Sequence, residues 1–141
     1  MIIVDTNIIS ELMKPAPNAK VVAWIDELII GDIGITSITV AEILFGLGSL
    51  PEGDSKRRLF GAATEIFDEY FSDRIFAFDH LAAVEYADIV IRREQAGNPI
   101  SMADAQIAAI SRITSAGLAT RNTKDFENTG VVLINPWLEQ S

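Results

Sequence analysis

A chain of 141 residues, 49% of them hydrophobic, is long enough for one domain with its own core and too short for several. It contains no cysteine and a single histidine, which excludes disulfide staples, thiolate metal sites and the usual zinc ligand sets. Acids outnumber bases 20 to 11, a net charge of −9, so nucleic acid is repelled unless cations or a local basic patch intervene.

The mean hydropathy of +0.26 is high, but the apolar residues fall in short runs. None approaches the roughly 18–20 uninterrupted apolar residues of a membrane-spanning helix. The opening apolar run is broken at once by Asp5 and has no basic leader, so no signal peptide is expected. A reducing cytoplasm suits such a chain. With no repeat, low-complexity tract or linker in view, residues 1–141 are expected to form one domain.

Met1–Val4 reads as a strand that stops at Asp5. Asn7–Met13 is a short helix, ended by Pro15 and Pro17. Asn18–Ile30 repeats apolar residues at helical spacing, with Trp24 among many aliphatics. Most of these residues are expected in the core, and a partner groove or dimer seam would cover any surplus. Ile33–Thr36 is a short strand. A helix follows from about Val40 to Leu47, with Val40, Ile43, Leu44 and Leu47 on one face.

Gly48–Ser55 is a loop, and helices are expected at Lys56–Phe71 and Leu81–Ala96, with Arg74–Phe78 a short strand or extended connector between them. On the second helix Glu85, Asp88 and Arg92 form a polar stripe. Asn98 and Pro99 end that element. Ser101–Ala116 is the last helix, and Gly117–Thr120 and Val131–Ile134 are the last strands. Strands separated by helices predict a three-layer α/β/α sandwich around a mainly parallel sheet of about four or five strands. Open sheets of this kind place their sites beyond the carboxyl ends of the strands.

Three acids meet that rule. Asp5 ends the first strand, where an Asx turn or helix cap is the plain alternative. Glu42, in Thr39-Val40-Ala41-Glu42, reads equally as a capping-box residue with Thr39 as N-cap or as a ligand at the same sheet edge. Asp104, in Ser101-Met102-Ala103-Asp104, also fits a capping box. Yet it opens a helix that is apolar nearly all round, where a carboxylate is costly unless a cation or several donors meet it. A fourth corner follows Gly117–Thr120: Asn122 comes just after the strand, and Asp125 one turn further on. Arg121 and Lys124 beside it suit phosphates, or are ordinary solvated charges. Three carboxylates with no thiolate or imidazole suit a hard ion such as Mg²⁺ or Mn²⁺, which would also offset part of the negative charge.

The run Ile2-Ile3-Val4-Asp5-Thr6-Asn7, then Thr36-Ser37-Ile38-Thr39-Val40-Ala41-Glu42, then Ala103-Asp104, then Ala119-Thr120-Arg121-Asn122 with Asp125-Phe126, resembles PIN-domain proteins in order and spacing across the whole chain. The likeness is greatest to the VapC-type toxins and their FitB-like branch, and the ending Asn135-Pro136-Trp137 fits it. The resemblance implies a PIN-like fold and a Mg²⁺- or Mn²⁺-dependent endoribonuclease, usually a homodimer, held inactive by a VapB-like antitoxin through which it reaches DNA. It implies Asp5 and Asp104 as principal metal ligands with Glu42 as third acid, and Thr6 and Asn7 as polar neighbours at the substrate. Several members carry Asp where this chain has Asn122, which leaves Asp125 as a substitute or outer partner. The expected reaction is hydrolysis of an RNA phosphodiester by a metal-activated water, with Arg121 and Lys124 on phosphates.

Two other readings stay open on the sequence. A haloacid-dehalogenase-like phosphatase also has an Asp after its first strand, but it wants a second Asp where Asn7 stands. A non-catalytic acidic α/β binding module would use the same acids only as caps.

Overall fold

The computed structural model describes residues 1–28 and 30–138. Five strands form one sheet in the order β3-β2-β1-β4-β5, and every pairing is parallel. The strands are β1 (Ile2–Val4), β2 (Ile33–Thr36), β3 (Ile75–Phe76), β4 (Gly117–Ala119) and β5 (Leu133–Ile134). Helices α1 (Thr6–Leu12), α2 (Ala19–Asp26), α3 (Ser37–Gly48), α4 (Asp54–Phe71), α5 (His80–Gln95) and α6 (Met102–Ile113) connect them. The expected α/β sandwich with a parallel sheet is the observed one.

The alternation of strand side chains builds two cores. Val4 and Ala119 pack with Ile8, Val21, Ile35, Ile43 and Phe71 on the face covered by α1 to α4. Their neighbours Ile3 and Leu118 point the other way, into a core with Ile89, Ile107 and Ile110 of α5 and α6. Register matches these faces, with Ile3 opposite Leu118 and Val4 opposite Ala119. Gly34, opposite Ile3, has no room for a side chain: a Cβ there would lie 2.6 Å from the Phe76 ring and 3.1 Å from the Arg74 carbonyl. The segment expected as strand or connector, Arg74–Phe78, contributes two strand residues, because Ile35 and Thr36 offer it a parallel partner.

Helix ends differ from the sequence reading for identifiable reasons. Helix α2 stops at Asp26, and a 3-10 turn at Ile30–Asp32 leads into β2. Part of the expected extension, residue 29, lies outside the described residues. Helix α3 begins three residues earlier than expected, because Thr36 rather than Thr39 is its N-cap and accepts from Thr39 N at 3.1 Å. Its buried stripe is Thr39, Ile43 and Leu47, while Leu44 is 41% exposed. Helix α6 ends at Ile113, short of Ala116. Ser115 turns into the left-handed region at φ 54, and Ala116 N closes on Ser111 O at 2.9 Å. Val21 and Ile25 of α2 are in the first core and Trp24 is half-buried against it, the core packing expected for most of that helix's apolar residues.

Candidate active site

The carboxyl end of β1 delivers Asp5 directly to the start of α1. Its backbone is extended, and one carboxylate oxygen caps the helix by accepting from Thr6 N at 2.8 Å. The other oxygen accepts from Thr120 Oγ1 at 2.8 Å and from Asn7 Nδ2 at 3.2 Å. The cap alternative is therefore real but incomplete: the side chain also reaches across to the end of β4. Asp5 is only 6% exposed, and among the described residues no Lys or Arg forms an ion pair with it. Burial pushes its carboxyl up to about 6; the Thr120 and Thr6 bonds oppose this, and the Asp104 and Glu42 charges add to it.

Glu42 is not the capping-box residue of the sequence reading, because Thr36 caps α3. Instead, Glu42 Oε1 accepts from Thr6 Oγ1 at 2.7 Å. Thr6 Oγ1 also lies 3.0 Å from Thr39 Oγ1. Thr6 thus fastens α1 to α3 and aims an otherwise exposed carboxylate. Asp104 lies in the first turn of α6, where its backbone N donates to Ser101 Oγ at 3.2 Å, as the capping pattern predicts. Burial raises its carboxyl above the ordinary range, the Ser101 bond opposes this, Asp125 and Glu42 push it further, and Arg93 pulls it down.

Asp5, Glu42 and Asp104 line one cleft of about 400 Å³, together with Thr6, Asn7, Arg121 and Asn122. Asn7 is fixed at both ends of its amide: Nδ2 reaches Asp5 and, at 3.3 Å, Thr120 Oγ1, while Oδ1 accepts from Arg121 N at 3.3 Å. The Arg121 guanidinium lies over the Trp137 ring, 5.2 Å from its centroid. Lys124 and Asp125 are placed elsewhere. They line a neighbouring cleft of about 490 Å³ with Ser101 and Arg93, and Asp104 stands on the wall shared by the two. Buried Arg93 anchors that loop by donating to the Asp125 and Glu127 carbonyls, both at 2.9 Å.

Four cleft residues were not singled out as site residues from the sequence: Ser10, Glu11, Lys14 and Trp137. Glu11 is held by Lys14 Nζ and by Asn18 N, both at 3.0 Å, and the Lys14 bond leads the causes that hold its carboxyl below the ordinary range. Asn7, Glu11 and Lys14 recur at helical spacing, the one signal that was available. Beside the cleft runs a more apolar groove of about 420 Å³ between α1, α3 and α4. Met13, Ile43, Leu47 and Leu59 line it, with Lys14 and Arg58 at its edges, and it shares Thr6 and Glu42 with the cleft.

The donor set is all oxygen, and among the described residues Asp5 is buried without a counter-charge, which suits a hard divalent ion. Among the described residues no three acidic or imidazole side chains gather at the spacing of an all-protein cage. Asp5, Asp104 and Glu42 are the residues that could hold such an ion, and water would have to complete its shell, which Mg²⁺ tolerates.

A model of the family described as PIN domain matches residues 2–132. The chain is 40% identical over 137 residues to Toxin FitB of Neisseria gonorrhoeae, covering 97% of this chain and 99% of that one. It is 39% identical over 141 residues to VapC ribonuclease Y4jK of Sinorhizobium fredii, covering 97% and 98% respectively. Its fold superposes on a solved structure of FitAB bound to an IR36 DNA fragment with a TM-score of 0.93 and 39% identity, over 100% of this chain and 99% of that chain.

Proposed function

The chain belongs to the PIN-domain family, and on that premise we propose that it is a metal-dependent endoribonuclease, the toxin of a toxin–antitoxin pair. The observation that carries the reading is the convergence of Asp5, Glu42 and Asp104, from three separated segments, on one cleft where Asp5 is buried without a cation. Asp5 and Asp104, with Glu42, are the residues that would hold Mg²⁺ or Mn²⁺, and Asn122 fills the fourth position. When bound, such an ion supplies an activated water and neutralises charge developing on the phosphate.

The chain's own groups do the remaining work. Thr120, Asn7 and Thr6 N fix the Asp5 carboxylate, and the Thr6 hydroxyl fixes Glu42. Arg121 and Lys14 give a net-acidic protein two cations where a phosphodiester would lie. Lys124, across Asp104, serves the strand beyond the cleft. No protein nucleophile is required, and His80, at the exposed start of α5, lines neither cleft. A phosphatase of the haloacid-dehalogenase type is disfavoured: its second acid is replaced by Asn7, whose amide is tied down at both ends.

The partners follow from the same reading: an RNA substrate, a homodimer mate, and an antitoxin that links the toxin to DNA, as FitAB is DNA-bound in its solved structure. The apolar groove beside the cleft suits an antitoxin segment. Among the described residues no helix is long and apolar enough to cross a membrane, and the proposed place of action is the cytoplasm.

The test is cleavage of a defined RNA panel by the purified chain with Mg²⁺, with EDTA, and as Asp104→Ala. Cleavage that needs the ion and falls at least a hundredfold in the variant supports the reading. Undiminished cleavage by Asp104→Ala, or cleavage in EDTA, overturns it.

A further inference from the structure

The arginines that hold this fold donate to protein acceptors. Arg74 donates to the Ile33 and Tyr70 carbonyls, Arg93 to those of Asn98, Asp125 and Glu127, and Arg112 to Thr129 O and two carboxylates. Arg121 differs. Among the described residues its guanidinium makes no hydrogen bond or ion pair with the protein: it lies over the face of Trp137, and its charge reaches the Glu11 carboxylate only at longer range. The backbone beneath it is fixed from both sides: Arg121 N donates to Asn7 Oδ1, and Arg121 O accepts from Asn135 Nδ2 at 3.3 Å. Asn135 Oδ1 in turn accepts from Trp137 N at 3.0 Å, so one asparagine ties the arginine's main chain to the tryptophan's. Trp137 packs against the first core and also lines the carboxylate cleft. An exposed arginine loses side-chain freedom when it meets a ligand, and a ring that already seats the guanidinium reduces that loss while leaving its N–H groups free.

We propose that Trp137 is a positioning residue for RNA: its ring holds the Arg121 guanidinium at the cleft wall with its donors unused, ready to receive a backbone phosphate of the strand being cut. This rests on the ribonuclease reading above.

The test is steady-state cleavage of a fluorescent single-stranded RNA with Mg²⁺ between 50 and 200 mM KCl. It compares wild type, Arg121→Ala, Trp137→Leu, Trp137→Phe and the double variant Arg121→Ala/Trp137→Leu, with thermal melting of each. Leu keeps the apolar contact to the core and removes the ring; Phe keeps a ring. Arg121→Ala is expected to raise KM on the order of tenfold, and Trp137→Leu about two- to fivefold, both with kcat nearly unchanged. The double variant should be no worse than Arg121→Ala alone, and Trp137→Phe, which keeps a smaller ring, should fall between wild type and Trp137→Leu. The slope of log kcat/KM against log salt should be shallower by about 0.7 in Arg121→Ala, the contribution of one phosphate contact on a single strand, and partly so in Trp137→Leu.

If Trp137→Leu has the same effect with and without Arg121, or lowers kcat at constant KM, the positioning role is overturned while the ribonuclease stands. If the wild type cleaves no RNA, both fall.

Discussion

The Thr120 hydroxyl donates to Asp5 at 2.8 Å, joining the ends of two neighbouring parallel strands across 115 residues of sequence. Both residues are buried. The bond lies where an open sheet places its site, and it opposes the rise that burial imposes on the Asp5 carboxyl. Thr120 Oγ1 also receives Asn122 N at 3.1 Å, so one hydroxyl organises both the first acid and the residue at the fourth corner.

Thr120→Val keeps the shape and removes the donor. A hydrogen bond to a charged group contributes about 1.5–3 kcal/mol, so the variant should lose stability of that order at pH 8 in urea titrations. Because the Thr120 bond lowers the Asp5 pKa, the Asp5 carboxyl carbon of the metal-free variant should titrate above the wild-type value of about 6 in an NMR experiment. An unchanged midpoint would contradict this account of Asp5.

Asp5 should also make the metal-free protein less stable as pH rises. Between its ordinary 3.8 and about 6 the folded chain keeps a proton that the unfolded chain has released. Stability from this group therefore falls through that window and is lowest above it. At 1.36 kcal/mol per pH unit the loss is about 3 kcal/mol. Asp5→Asn removes the charge, so in EDTA it should melt above the wild type at pH 8 and level with it near pH 4. A gap that does not vary with pH would show that the buried charge is not the cause.

The sheet, its parallel sense and the position of Asp5 were legible because apolar runs ending in a polar residue state where a strand stops. The capping assignments were less so. Thr36, Ser37 and Thr39 are all competent N-caps, and only the pairing of Thr36 with β3 fixes which one ends the strand. Glu42 read equally as a local cap or a ligand because its partner, Thr6, lies 36 residues away. Trp137 and Arg121 meet only because β5 adds beside β4, a relation that no local pattern encodes. Asp125 appeared interchangeable with Asn122. The 3-10 turn at Thr123–Phe126 instead leaves Asp125 lining the second cleft, where Arg93 grips its carbonyl.

Thr6→Val tests whether aiming Glu42 matters. The substitution preserves volume and the Thr6 backbone donor to Asp5, and deletes the hydroxyl that holds Glu42 and also meets Thr39 Oγ1. Loss of an orienting bond to a metal-site carboxylate typically costs 10–100-fold in metal affinity or activity. The expected result is a loss of that order in Mg²⁺-dependent cleavage. Wild-type activity would mean that Glu42 needs no support from α1.

Arg93→Met should act mainly on the loop, with a smaller upward push on the Asp104 carboxyl, whose pKa the Arg93 charge lowers. The arginine is 2% exposed and satisfies carbonyls of Asn98, Asp125 and Glu127. Met fills the space without donors, leaving three acceptors unpaired at a cost of about 3 kcal/mol. Hydrogen exchange should quicken over residues 123–129 before it changes in β1. Uniform acceleration across the sheet would show that the residue supports the whole core.

Divalent ions should reverse the pH trend of the metal-free chain. An ion at the cleft favours ionised Asp5 and Asp104, the two carboxyls that burial pushes up. Mn²⁺ should therefore raise the melting temperature at pH 8, by the equivalent of about 2.7 kcal/mol at a hundred times its Kd. Near pH 5 the gain should shrink, because protons compete for the same oxygens. Asp5→Asn and Asp104→Asn should each abolish most of the gain. Glu11→Gln should keep it, because the Glu11 carboxylate is already engaged by Lys14 and Asn18 N. A response to Mn²⁺ that survives both aspartate variants would place the ion elsewhere and remove the physical basis of the nuclease reading.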